Sequence, residues 1–295
     1  MYRLLSISRL LSVRRLLSVR HLIPIIIVPS LLSACYGPSD VAIICENNAA
    51  ICADLNTDDW CEQERNELII SRSKATQNNN EPAQYALLTT LRDYQECIKI
   101  AALIEPRTHP ELKAQRVAAM LSTYDQLQLL EQQTLNSNNP YILNYHWQSH
   151  NNDTAKQQFI TLSKQQSFSD PALYLALANM YDKNTNKAID NLLKGISLLD
   201  YKSQLDADSE MTAKLLYGLI TAYMHQRHYA QAYLWSQVAI ILDVENINLT
   251  VFNPHKITTI EKVRLEELAR EVAEQIKQQT FTEKSYQYTQ SSAEF

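Results

Sequence analysis

Residues Leu216 to Ala239 read LYGLITAYMHQRHYAQAYLWSQVA, and this stretch decides the fold. Apolar side chains recur at three and four residues through Leu216, Leu219 and Tyr223, the spacing of one helical face. The polar Gln226-Arg227-His228 breaks the pattern, which resumes from Tyr229 with Ala232 and Ala239. Two helices joined by a short turn follow. Tyr223 is large enough to fill the space between them, while Ala232 and Ala239 are small enough to let the backbones approach. Tyr233 and Trp235 lie about 200° apart around a helix, so one of them is expected at the surface. An exposed aromatic residue is a typical binding hot spot, which makes Tyr233 and Trp235 candidate partner-binding residues together with His228 in the turn.

The Tyr223-x5-Tyr229-x2-Ala232-x6-Ala239 pattern resembles a tetratricopeptide repeat, although Ile220 and Val244 replace its usual glycine and proline. Pro171 to Leu199 repeats the theme with a Tyr181-to-Ala188 spacing of seven, which leans toward the related Sel1-like repeats. A helix pair at 141–165 precedes these units, and a long helix from about Ile257 to Gln279 follows. Together they make roughly three units and a closing helix, about the minimum for a stable helical solenoid. The expected fold is therefore all-α: a tetratricopeptide-like helical-hairpin solenoid over 136–280, behind a cysteine-containing helical segment at 41–135. Residues 281–295, rich in Ser, Thr, Gln and Tyr, read as an unstructured tail.

The remaining cysteines after the leader, Cys45, Cys52, Cys61 and Cys97, all fall in that first segment. Helices are expected from Asp58 or Asp59 to about Ser73, and from Pro82 to about Leu103, around a polar turn. In an antiparallel hairpin, positions equidistant from the turn face each other, and residue 79 is midway between Cys61 and Cys97. These two should meet, which leaves Cys45 for Cys52. On one continuous helix that pair would lie about 10.5 Å apart, so the chain must bend near Asn47-Asn48. A four-thiolate metal site would want close C-x2-C pairs, and none is present. A further helix from Pro110 to about Leu135 carries Val117, Met120, Leu121, Tyr124 and Leu127 as its expected buried stripe.

At the start of the chain, Leu32-Ser33-Ala34-Cys35 follows five arginines, no acid, and the apolar run Leu22 to Leu31. This run is too short to span a bilayer, which takes roughly 20 residues. The stretch resembles the lipobox of a bacterial lipoprotein. That resemblance implies a signal peptide at 1–34, acylation of Cys35, a tether over 35–40 and, with Tyr36 rather than Asp next, an outer-membrane anchor facing the periplasm. With Asp58-Asp59-Trp60-Cys61, the whole chain also resembles an uncharacterised Gram-negative lipoprotein family known only as a domain of unknown function.

Removing 1–34 leaves 22 basic against 32 acidic residues, a net charge of −10, which excludes a nucleic-acid partner. With only Gly37, Gly195 and Gly218, the chain cannot build phosphate-cradling loops or nucleophile elbows. No cofactor is implied. His146 and His150 are spaced to share a metal but lack a third ligand, and the acids Asp58, Asp59, Glu62 and Glu64 are explained by a helix start. No catalytic residue is assigned. The resulting expectation is an outer-membrane lipoprotein that holds an envelope protein or peptide in a groove. The rival is an enzyme on envelope polymers, or a small-ligand binder, using the helix that bears His146 and His150.

Overall fold

The computed structural model describes residues 40–181, 185–200, 206–253, 255–282 and 285. The leader, Cys35 and most of the tether lie outside the described residues, as do 283–284 and 286–295 of the tail. Eleven α-helices and no strand occur among the described residues. They are α1 (Asp40–Asn47), α2 (Glu62–Gln77), α3 (Glu81–Ala101), α4 (Glu111–Thr134), α5 (Pro140–His150) and α6 (Asp153–Gln165), then α7 (Pro171–Met180), α8 (Thr185–Ser197), α9 (Asp206–His225), α10 (Tyr229–Ile241) and α11 (Thr259–Lys277). None of the described helices is long and apolar enough to cross a membrane.

Local chemistry sets most of the helix starts. The Asn80, Asn139, Asn152 and Asp170 side chains each accept a hydrogen bond from a backbone N–H of the turn that follows. Proline then stands in the first turn of α3, α5 and α7, where its missing N–H costs nothing. Thr258 and Glu261 close α11 with a reciprocal capping box. One start departs from expectation. Helix α2 begins at Glu62, after Cys61 in the left-handed region at φ 57°, because Asp58 is held elsewhere and cannot cap it.

Most consecutive helices pack on one another, α2 with α3, α3 with α4, α5 with α6 and each neighbouring pair from α7 to α11, and alternate helices also touch, α3 with α5, α5 with α7 and α7 with α9. That second set of contacts stacks the hairpins into a solenoid with one helix of each pair on a common side. Three apolar clusters follow in chain order, one from the disulfide-bearing segment to Ile142 and Tyr145 of α5, one across α5 to α7, and a large one from α7 to beyond α11. The disulfides are Cys45–Cys52 and Cys61–Cys97, with Cα atoms 5.7 and 5.8 Å apart, the second as hairpin symmetry about residue 79 requires and the first the pair that this leaves. The bend between the first pair is the 3-10 turn Ala49–Ile51.

Two readings are corrected by the packing. On α4 the buried stripe runs through Arg116, Ala119, Thr123, Leu127, Leu130 and Thr134, while Leu121 and Tyr124 are 56% and 45% exposed. The polar members survive burial because Thr123 and Thr134 donate to carbonyls of their own helix, and Arg116 is paired. On α10 both Tyr233 and Trp235 are buried, at 3% and 1% exposure. With α9 on one side and α11 on another, residues 200° apart both meet protein. Tyr233 donates to Glu266 Oε1 at 2.7 Å, and Trp235 meets the edge of Phe281, itself 3% exposed although its sequence neighbours read as tail.

Candidate functional site

A groove of about 420 Å³ opens between α7, α8 and α9. Its floor is formed by Ala178, Ala188, Leu192, Gly218 and Ala222, and its rim by Asn179, Tyr217, Thr221 and His225. The sequence creates this concavity by omission. Where α7 and α9 form the floor they carry only alanine or glycine, Ala178, Gly218 and Ala222, so little fills the space between them. At Gly218 an added Cβ would stand 3.0 Å from Leu192 Cδ2, which shows how closely α8 and α9 approach. Tyr217, 39% exposed, is held at one edge by donating its hydroxyl to the Glu245 carbonyl. An apolar floor with a few polar side chains at the rim suits an extended peptide, whose side chain enters the floor while its backbone amides meet the rim.

None of the three partner-binding residues expected from sequence lines this groove. Tyr233 and Trp235 belong to the core, and His228 is exposed at the start of α10, its ring 6.4 Å from that of Tyr223. The residues that do line it, Tyr217, Thr221 and His225, recur every four on α9. The signal was present as a four-residue stripe of moderate size, but an isolated helix has such a stripe on each side.

His146 and His150 lie near a second cleft, of about 330 Å³, between α3, α4 and α5. Their ring centroids are 6.1 Å apart, and each ring bonds a different partner. His146, 1% exposed, shares a hydrogen bond with Thr134 Oγ1 at 3.0 Å, whereas His150 is 2.8 Å from Glu131 Oε1. Burial lowers the His146 pKa and the neighbouring His150 adds to this, against weaker opposition from Glu131 and Thr134. Tyr145 donates to the same Glu131 oxygen at 2.8 Å, and burial with that bond pushes its hydroxyl pKa up. Among the described residues the one set with metal-ligand proximity is Cys61, Glu64 and Cys97, whose sulfurs are joined in a disulfide.

The acids near Asp58 are architectural. Asn56 donates to Asp58 Oδ1 at 2.5 Å and to the Trp60 carbonyl at 2.8 Å, and accepts from the Tyr94 hydroxyl at 2.7 Å. Arg116 reaches Asp58 Oδ2 from α4 at 2.6 and 2.7 Å. On the other side of the segment, Arg72 grips both Asp54 oxygens at 2.7 and 2.9 Å, with Gln126 and Ser122 completing the set. Desolvation raises the pKa of each aspartate, but the hydrogen bonds and charge of their arginines, with their polar neighbours, outweigh it and leave both below the ordinary carboxylate value.

Residues 32–237 match the model of a family described as a protein of unknown function (DUF2989), a span that takes in all four disulfide cysteines and both clefts. No curated protein and no solved structure matches the chain.

Proposed function

We propose, for a chain that belongs to the DUF2989 family, that it is an outer-membrane lipoprotein holding an extended peptide segment of an envelope protein at the periplasmic face. The observation that carries this reading is the groove between α7 and α9, with its small-residue floor and polar rim. Stacked helix pairs with alternate helices on one side support a tetratricopeptide-like array, an architecture whose open side accommodates partners. The two disulfides favour an oxidising compartment, and the lipobox at Cys35 would confine the search for a partner to a surface.

The test is crosslinked capture of the mature protein from envelopes, run in parallel with groove variants. Asn179→Arg and Thr221→Arg place long cations at exposed rim positions without entering the core, and both should abolish the capture of a partner retained by Glu271→Arg on α11. Equal capture by all three would rule the groove out. In the same strain, Cys35→Ser should leave unprocessed, unlipidated precursor.

A further inference from the structure

The cleft between α3, α4 and α5 is separate from the groove and has a different chemistry. Arg92 and Gln95 reach it from α3, Glu131 from α4, and Tyr145 and Ser149 from α5. Neither of the two glutamates in its lining pairs with its arginine. Glu96 is paired with Lys99 at 2.5 Å and Glu131 accepts hydrogen bonds from Tyr145 and from the His150 ring, each at 2.8 Å, whereas Arg92 makes no ion pair among the described residues. The Arg92 guanidinium lies 5.1 Å over the Tyr145 ring and spends one N–H on Ser149 Oγ at 3.1 Å, which leaves the rest of its donor fork available.

Beside it, Gln95 is 6% exposed and its Nε2 has no hydrogen-bond partner. A buried amide that donates to nothing is costly, and such groups are rare unless something accepts from them. A guanidinium without an ion pair, a buried amide without a partner and a serine hydroxyl therefore belong to residues that line one cavity. From this juxtaposition we propose that the cleft binds the carboxylate of a small ligand, with Arg92 as the charged anchor and Gln95 as the second donor. The planar fork of arginine matches the two oxygens of a carboxylate. Phosphate fits less well, because its second negative charge would meet Glu131 and Glu96 on the cleft wall. A free small acid and the C-terminal carboxyl of a peptide share this chemistry.

The experiment is titration of the full mature chain, followed by NMR shifts. The probes are acetate, N-acetyl-trialanine, its C-terminal amide, and inorganic phosphate. Saturable binding of at least one acid is expected, weaker by about tenfold or more for the amide and for Arg92→Gln, and partly retained in Arg92→Lys. Gln95→Met should melt at the same or a higher temperature, since it removes the orphaned donor, yet bind the acid more weakly. Binding of acetate without the peptide assigns the site to small acids, and binding of both assigns it to peptide ends. The proposal is overturned if neither acid saturates, if the amide binds as tightly as the acid, if phosphate binds more tightly, or if both variants bind like the parent protein.

Discussion

Replacing Arg116 by Met tests what holds the disulfide-bearing segment together. The Arg116 side chain is 4% exposed and ties three pieces of chain. It pairs with Asp58 in the loop before α2, donates to the Ala101 and Ile104 carbonyls at 3.2 and 3.1 Å where α3 ends, and lies 5.6 Å over the Trp60 ring. Removing one partner of a buried pair costs about 3–5 kcal/mol, because the other charge stays behind. Two features favour the lower end: Met keeps most of the apolar stem, and Asp58 retains Asn56 as a donor with 12% of its side chain exposed. A loss of about 3 kcal/mol corresponds to roughly 6–12 °C of melting temperature for a chain of this size. Calorimetry is the assay, with exposed Arg107→Met as a control that should not move. Asp58→Asn should be milder, and in the double variant the two losses should fall short of their sum. A shift under about 2 °C for Arg116→Met, or strict additivity in the double variant, would refute the account.

The remaining expectations concern staples, protons and helix contacts. Breaking Cys61–Cys97, at a separation of 36 residues, should cost about 3–4 kcal/mol, against about 2–3 for Cys45–Cys52 at a separation of 7; urea melts of the paired serine variants with equal losses would contradict this. The His146 pKa is lower in the folded chain than in the unfolded one, so its contribution is intact above about pH 6.5 and is lost as pH falls through the lower folded value. The aspartates Asp54 and Asp58, also lowered, add a second loss below about pH 4. The urea midpoint should therefore fall in two stages, and His146→Gln should remove the first; a flat midpoint from pH 7 to 5 would contradict the burial argument. Finally, a Cβ at Gly195 would stand 2.7 Å from Leu215 Cδ2, in a side chain with no exposure, whereas at Gly218 the nearest atom is 3.0 Å away. Gly195→Ala should cost about 1–2 kcal/mol after its helix-propensity gain, with Gly218→Ala near neutral, and thermal melts in the reverse order would refute that packing.

The all-α class, the helix pairs and both disulfides were legible in the sequence because their causes are local. Asn80, Asn139 and Asp170 stand immediately before Glu81-Pro82, Pro140 and Pro171, Asn152 stands before an acidic first turn, and the symmetry of a hairpin about residue 79 brings Cys61 to Cys97 without any knowledge of the rest. The sites were not legible, because a helix's own period says that it has a buried side without saying how many neighbours it has. Packing by both α9 and α11 is what buries Tyr233 and Trp235 together, and Arg116, Thr123 and Thr134 lie inside only because partners 58 residues away, or their own backbone, satisfy them. The groove and the Arg92 cleft each need three helices to enclose them. Concavity is a property of the space between elements, so sequence determined the elements, and tertiary packing decided which of their faces were left open.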